Sequence, residues 1–225
     1  MKKVIILLFI ASIIFSSCSK NQDDVTLASN SATQLAVQEK SAVAASTFPG
    51  YSFCLAVPWL PQVPPGDWAN TKNCGQTCAV MLSGYFNKTA VNSAQITAEN
   101  TWLYGYTGNS AYNNANGYYT STTQIQALLL QKHGLTSSIL TGSTVDDILN
   151  QAYSGKPCIA HVRISGGTLV GSGGVDHWTL VVGFDGYNVI TNDPGSSSGY
   201  NRAYSKAAFT ASWTLGSKLY MPVSK

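Results

Sequence analysis

The sequence predicts an α+β fold in which a helical part packs against an antiparallel sheet. A Pro- and Gly-bearing loop, residues 62–73, leads into an apolar helix that begins at Cys74. Later in the chain two apolar runs flank Asp185-Gly186, which is a strong hairpin signal. With 225 residues, of which 44% are hydrophobic and 10% charged, the chain is long enough for one domain with a substantial core.

Residues 1–17 have the pattern of a secretory signal peptide. Lys2-Lys3 form a positive start and residues 4–15 an apolar run that is short for a membrane span. Ser16-Ser17-Cys18 resembles the end of a bacterial lipobox, which implies cleavage before Cys18 and acylation of its thiol. The alternative is an ordinary signal peptide in which Cys18 is discarded. The lipobox implies a lipid-anchored protein of the bacterial cell envelope, either periplasmic or surface-exposed.

Residues 18–50 are rich in Ser, Ala, Gln and Thr and contain few bulky side chains. Such a composition buries too little apolar surface to offset the entropy of ordering the chain. We therefore interpret this stretch as a flexible tether, with a removable pro-segment as the alternative. The folded domain is expected to occupy residues 51–225.

The helix that begins at Cys74 has apolar residues at helical spacing, so one of its faces should be buried. These residues are Cys74, Cys78, Met81, Leu82 and Tyr85. Asn73 is the expected N-cap. Cys74 would then lie at the helix N-terminus, where the peptide dipoles favour negative charge and so favour the nucleophilic thiolate. Gln62, on the loop before the helix, is placed to return its amide to the same point.

Further elements follow from periodicity and from turn signals. Helices are expected at residues 93–100, 122–133 and 205–213, and another begins at a capping box formed by Ser143 and Asp146 and continues to Tyr153. Strands are expected at residues 51–60, 158–164, 175–184, 187–193 and 218–223. The Asn-, Gly- and Tyr-rich stretch before residue 120 is either a substrate-contacting loop or a plain surface loop. The Gly-rich residues 165–174 are expected to form a mobile lip, and Asp176 to be a turn residue, with a binding residue as the alternative.

The two strands of the predicted hairpin should bring His177 and Asp193 together. A shared core face is expected for the bulky apolar residues Trp178, Leu180, Val182, Phe184 and Ile190. The odd-numbered positions then share the other face, and His177 lies beside Asp193. A two-residue loop of Asp185 and Gly186 would break this parity, so we expect a bulge or an odd-length loop.

The ordered set of these residues resembles the papain-like cysteine peptidases. More narrowly, it is similar to the bacterial peptidases related to the double-glycine leader peptidases that process bacteriocins. The matching segments are Val57-Pro58, Gln62, Cys74-Gly75, His177-Trp178, Gly183-Phe184-Asp185 and Asn192-Asp193-Pro194. They span about residues 57–195. The resemblance implies a papain-like fold whose nucleophile helix packs on an antiparallel sheet, and a peptide or protein substrate.

The resemblance also implies roles for four residues: Cys74 as nucleophile, His177 as base, Asp193 as the group that orients the base, and Gln62 as oxyanion donor. Cys78 departs from the family, which usually has Ser or Ala there, and papain uses the second cysteine of a Cys-Gly-Ser-Cys run. Cys78 is therefore a rival nucleophile, although a buried small hydrophobe is the favoured interpretation. The same site chemistry also fits a cell-wall amidase or an acyl transferase, and the fold fits a non-catalytic surface binding module or a secreted effector or inhibitor.

Other classes of function have little support in the sequence. The formal net charge is +3 and no basic run is present, so nucleic-acid binding is not predicted. No P-loop, Rossmann glycine pattern or metal-binding His and Cys motif occurs, so no cofactor or metal is expected. The Gly195-Ser196-Ser197-Ser198-Gly199 run matches the serine nucleophile pattern but lacks its strand–turn–helix context. His133 and His161 are interpreted as structural, and export would permit a disulfide whose partners the sequence does not identify.

Overall fold

The computed structural model describes residues 51–67 and 70–225. Five α-helices lie in these ranges: α1 (Cys74–Asn87), α2 (Ser93–Thr107), α3 (Thr122–Ala127), α4 (Val145–Tyr153) and α5 (Lys206–Leu215). The strands are β1 (Ser52–Cys54), β2 (Thr136–Ser137), β3 (Cys158–Ser165), β4 (Thr168–Leu169), β5 (Val175–Asp185), β6 (Asn188–Asn192), β7 (Arg202–Ser205) and β8 (Tyr220–Ser224). A 3₁₀ turn (Ser110–Asn113) and a π turn (Leu128–Lys132) complete the regular structure. The predicted signal peptide, tether and Cys18 lie outside the described residues.

One antiparallel sheet organises the domain. Its strands follow the order β2-β8-β3-β5-β6-β7, while β1 pairs with β5 and β4 with β3. Helix α1 packs on one face together with the π turn and the long segment after β1. Helices α4 and α5 pack on the other face, where Ile148, Phe209 and Trp213 are buried against the sheet. The expected α+β arrangement of helices on an antiparallel sheet is therefore confirmed.

A bulge in β5 sets the register of the hairpin. Val181 pairs with Thr191 but Gly183 pairs with Ile190, so Val182 is an extra residue on its strand. This confirms the predicted bulge, while the turn itself consists of Gly186 and Tyr187 between a paired Asp185 and Asn188. Trp178, Leu180, Val182 and Ile190 share one core, as predicted. Phe184 was predicted on that face and instead joins the opposite core, because the extra residue inverts the alternation beyond it.

Several element boundaries differ from the sequence prediction. Helix α2 continues to Thr107 instead of ending near residue 100, and its capping box is made by Asn92 and Gln95. Helix α4 is capped by Thr144 and Asp147, one residue later than predicted. The helix predicted over residues 122–133 changes from α to π geometry at Leu128, and Leu130 is exposed. The start of α4 shifts because the side chains of Thr144 and Asp147 reach the unpaired amides there, and α2 ends where Gly108 adopts a left-handed conformation.

Two further differences concern the site region. Asp176 was expected in a turn and lies inside β5, where it faces His161 and Arg163 across the strand pair. Strand β7 was not predicted, because residues 202–205 carry no clear alternation. Among the described residues, no helix is long and apolar enough to cross a membrane.

Candidate active site

Cys74 is the first residue of helix α1, and the residues around it are buried. Cys74 is 5% exposed, and Cys78, Met81 and Leu82 are buried below it. Asn73 occupies the N-cap position, but its side chain makes no capping hydrogen bond. Instead its amide accepts from Val63 N at 3.1 Å and donates to Val63 O at 2.7 Å. The predicted cap therefore joins the preceding loop to the helix, and the amides of the first turn remain without a side-chain cap.

His177 and Asp193 lie side by side, in the arrangement that the strand register predicts. His177 Nε2 is 2.8 Å from Asp193 Oδ1, and both residues are buried. Cys74 also raises the pKa of this imidazole, through a hydrogen bond and through its charge, which places the thiol within reach of the ring. Since Nε2 is engaged by Asp193, Nδ1 is the ring nitrogen available to the thiol. The structure thus brings Cys74, His177 and Asp193 into one contact chain.

The surroundings of His177 and Asp193 favour the ionised forms of both side chains. Burial by itself lowers the pKa of His177, but the charge and hydrogen bond of Asp193, together with Cys74, outweigh it and raise the pKa to about 10. Burial raises the pKa of Asp193, yet His177, the Gly195 amide and Arg202 together hold it below its ordinary value. An imidazolium next to a carboxylate is therefore the stable form of the pair at neutral pH.

Asp193 is fixed by partners that the sequence did not indicate. Gly195 N donates to Oδ1 at 2.9 Å and Tyr204 Oη donates to Oδ2 at 3.2 Å. Trp59 Nε1 donates to the Asp193 carbonyl at 2.9 Å. Tyr204 comes from the unpredicted strand β7, and Trp59 lies 134 residues away in sequence. No local pattern connects these positions, so only the tertiary structure identifies them.

Gly195 leaves room for the imidazole. A Cβ at this position would lie 2.7 Å from His177 Cε1 and 3.1 Å from Ile164 Cδ1. Contacts this short force a neighbour to move. The turn after Asp193 therefore both donates to the carboxylate and allows the close approach of His177.

Gln62 is held near the same turn. Its backbone N donates to Pro194 O at 2.9 Å, and the side chain is 2% exposed. Gln62 Nε2 donates to Thr71 O at 3.3 Å and contacts Thr71 Oγ1, while Gln62 Oε1 has no hydrogen-bond partner in the described part of the chain. Both contacts of the Gln62 NH₂ group thus go to Thr71, and none of the described hydrogen bonds joins it to Cys74.

The other cysteines and histidines have surroundings that are typical of structural residues. Cys78 is fully buried with its thiol 3.7 Å from Trp178 O, and burial, followed by Cys74 and Asp193, raises its pKa well above the ordinary value. His161 contacts Gly216 O and Asp176 and packs on Trp178. His133 pairs with the buried Glu99. Cys74, Cys78 and Cys158 carry free thiols, and within residues 51–67 and 70–225 no cluster of His, Cys, Asp or Glu suits a metal.

A cleft of about 460 Å³ adjoins the site through Ile164, and its lining does not include Cys74, His177 or Asp193. One side is formed by the turn between β3 and β4 and by the start of β5, and the other by the loop that follows Gln62. The lining residues are Gly66, Asp67, Ile164, Ser165, Gly166, Gly167, Gly174 and Val175. Ile164 reaches the His177 region, because its Cδ1 and His177 Cε1 flank Gly195 together.

Comparison with known proteins gives a consistent result. Residues 54–221 match a family model described as the Peptidase_C39 like family. A protein described as a C39-like peptidase from Bacillus anthracis is similar in structure over 78% of this chain and 98% of its own, with 17% identity and a TM-score of 0.55. At this identity the similarity shows a shared fold. No curated protein is significantly similar in sequence.

Two other solved structures are similar at lower TM-scores. The peptidase domain of Streptococcus ComA, a bifunctional ABC transporter involved in quorum sensing, covers 74% of this chain and 96% of its own, with 20% identity and a TM-score of 0.47. A double-glycine motif protease from an AMS/PCAT transporter, solved with its leader peptide, covers 78% and 96%, with 17% identity and a TM-score of 0.46.

Proposed function

The chain belongs to the Peptidase_C39-like family, and from that membership we propose that it hydrolyses peptide bonds with Cys74 as nucleophile, His177 as base and Asp193 as the residue that orients His177. The family membership confirms the prediction of a cysteine peptidase with an α+β, papain-like fold. We also propose that the substrate is a peptide or protein and that the protein is exported.

The observation that carries the proposal is the buried pair of His177 and Asp193, whose imidazole is also influenced by Cys74 at the start of α1. Asp193 engages Nε2 at 2.8 Å and thereby fixes the ring orientation that presents the other nitrogen to the thiol. A nucleophile, a base within hydrogen-bond reach and a third group that orients the base are the parts that nucleophilic catalysis requires. Cys78 lacks such a base and is held as a neutral thiol by its burial.

In the proposed mechanism the Cys74 thiolate attacks the carbonyl carbon of the scissile bond while His177 carries the proton. The new C–S bond forms a tetrahedral intermediate, and its collapse breaks the C–N bond as His177 gives its proton to the leaving amine. Water then attacks the thioester and transfers a proton to His177. Breakage of the C–S bond releases the acid and restores the thiolate and imidazolium.

The oxyanion of both tetrahedral intermediates requires hydrogen-bond donors. The first-turn amides of α1, including that of Cys74, are not capped by the Asn73 side chain. The NH₂ group of Gln62 is the proposed second donor, and it must leave its contacts with Thr71 to reach the oxyanion. Each such donor typically contributes a factor of about 10² to 10³ in rate.

Export and lipid anchoring are supported by the sequence of residues 1–18. The positive Lys2-Lys3 start, the apolar run and the small residues before Cys18 suit a lipoprotein signal. We expect a radiolabelled fatty acid fed to a bacterial host to be incorporated into the full chain and not into Cys18→Ala. Equal incorporation into both would contradict anchoring at Cys18.

The proposed nucleophile is tested by covalent labelling of the full chain with a tetrapeptidyl vinyl sulfone library at neutral pH. We expect the label on Cys74, identified by mass spectrometry, with slower labelling of His177→Ala and unchanged labelling of Cys78→Ala. A label on Cys78 would instead identify Cys78, further along α1, as the nucleophile. No labelling of any cysteine would favour the non-catalytic binding module.

Gly195→Ala should impair the site without removing any of its functional groups. The added Cβ must displace His177 or Ile164, and a shift of about 1 Å in a catalytic group can reduce the rate by about 10²-fold. Gly105→Ala is the matched control, because this glycine lies inside α2 with open space around its Cα. The control should keep full labelling and gain up to about 1 kcal/mol of helix stability. Unchanged labelling of Gly195→Ala would contradict the packing argument.

A further inference from the structure

The cleft beside His177 has one wall that is weakly built. Strand β4 has two residues, and its pairing with β3 is limited to Ile164 with Leu169 and Ser165 with Thr168. Gly166 and Gly167, which form the connecting turn, both have positive φ and bring no side chains that could anchor the wall. Leu169 is buried in the core and Val170 N donates to Arg163 O at 3.0 Å, so β4 itself is anchored, whereas the glycines of the turn have no side chains to hold it. The position of the turn therefore depends on contacts from outside it.

Arg202 of β7 supplies these contacts. Its Nη1 donates to Gly167 O at 2.6 Å and to Ser196 Oγ at 2.8 Å, and its Nη2 donates to Thr168 Oγ1 at 3.0 Å. The planar guanidinium thus connects the β3–β4 turn with the segment that follows Asp193. The two segments also meet directly, since a Cβ on Gly167 would lie 3.0 Å from Gly195 O.

The guanidinium of Arg202 is itself held in place by Tyr204. The guanidinium lies over the Tyr204 ring, 4.9 Å from its centroid, and Tyr204 Oη donates to Asp193 Oδ2. Arg202 therefore holds the β3–β4 turn to the same part of the sheet that supports Asp193. Among the described contacts its hydrogen bonds go to the turn and to Ser196, and it acts on Asp193 only through its charge.

We propose that Arg202 is a positioning residue that fixes the β3–β4 turn as a wall of the substrate cleft and thereby determines affinity for a peptide substrate more than the rate of bond cleavage. This inference rests on the proposed peptidase function. The two residues after Pro194 then have different roles: Gly195 donates to the Asp193 carboxylate and lies close to the imidazole, whereas Ser196 shares Arg202 with the cleft wall.

The test uses two electrophiles on the full chain. A tetrapeptidyl vinyl sulfone must occupy the cleft before it reacts, whereas iodoacetamide reports only the reactivity of the Cys74 thiol. For Arg202→Ala we expect the concentration for half-maximal inactivation by the peptide reagent to rise about tenfold, with the limiting inactivation rate and the iodoacetamide rate within twofold of wild type. Arg202→Lys keeps the positive charge but lacks the paired N–H donors of the guanidinium. Compared with Arg202→Ala, it should recover part of the affinity for the peptide reagent. Thr168→Val removes one acceptor and should raise the half-maximal concentration about threefold.

Lys206→Met is the matched control, since Lys206 is a nearby cation that pairs with Asp146 instead of the β3–β4 turn. It should behave as wild type with both reagents. Equal slowing of both reagents in Arg202→Ala would overturn the proposal, because the arginine would then act on Cys74 and His177. Unchanged affinity for the peptide reagent in Arg202→Lys and Thr168→Val would overturn it as well, even if Arg202→Ala fails to fold.

Hydrogen exchange separates failure of this inference from failure of the proposed function. If wild type is not labelled at Cys74, the peptidase proposal fails, and amide exchange of residues 164–175 still reports on the wall. Faster exchange in this segment in Arg202→Lys and Thr168→Val, but not in Lys206→Met, supports the role of Arg202 in fixing the wall. Equal exchange in all of these variants and wild type overturns it.

Discussion

Replacing Cys74 by alanine is expected to reduce peptide-bond hydrolysis by about 10⁵-fold or more, because removal of a nucleophile eliminates the covalent pathway altogether. The measurement is cleavage of an unbiased peptide library by the full chain, followed by mass spectrometry. Binding of peptides to the cleft should persist in this variant, since the cleft walls do not include the thiol.

Cys78→Ala is the control for that experiment. Cys78 lies one helical turn further along α1 with a thiol that is buried and kept neutral. We expect its hydrolysis rate to stay within a few-fold of wild type, and its free energy of unfolding to fall by about 1–2 kcal/mol because a buried sulfur is lost. Loss of hydrolysis in Cys78→Ala, with activity kept in Cys74→Ala, would contradict the assignment.

Replacing Asp193 by asparagine is expected to reduce hydrolysis by about 10- to 10²-fold, because a hydrogen bond to a charged partner contributes about 1.5–3 kcal/mol. Asparagine preserves the size of the side chain but removes the charge that stabilises the imidazolium. Without that charge only Cys74 still opposes the effect of burial, so the pKa of His177 falls. We expect the alkaline limb of kcat/KM near pH 10 in wild type, from the His177 pKa of about 10, and at lower pH in the variant.

Asp176→Asn provides a matched control, because Asp176 also faces a histidine but is half exposed and pairs with His161. Its hydrolysis rate should stay within a few-fold of wild type, since exposed pairs of this kind contribute little. Equal loss of activity in Asp176→Asn and Asp193→Asn would contradict the proposed role of Asp193 in orienting His177.

The same substitution of Asp193 should change how stability depends on pH. The pKa of His177 is raised from 6.5 to about 10, so its contribution is complete below pH 6.5 and is lost as pH rises through 10. The pKa of Asp193 is lowered below 3.8, so its contribution is complete above pH 3.8 and is lost as pH falls through its folded value. The difference in Tm between wild type and Asp193→Asn should be widest between about pH 4 and 6.5 and should narrow towards pH 10. A constant difference from pH 4 to 10 would contradict the ion pair.

Local pattern in the sequence was enough to predict the two elements that carry the site. Helical spacing placed Cys74 at the start of α1, and strand alternation with a bulge placed His177 beside Asp193. Both predictions depend on repeats of 3.6 or 2 residues within one element, which the order of residues records directly. The matching segments from Val57 to Pro194 also identified the family before the fold was known.

Only the tertiary structure decided which side chains support these residues. Asn73 has the character of a helix cap, yet its amide bonds Val63, because the loop folds back onto the helix N-terminus. Tyr204 and Arg202 act from β7, whose sequence shows no strand pattern and whose position is fixed by pairing with β6. Hydrogen bonds between such distant segments depend on how the whole sheet packs, and neighbouring residues in the sequence carry no record of that packing.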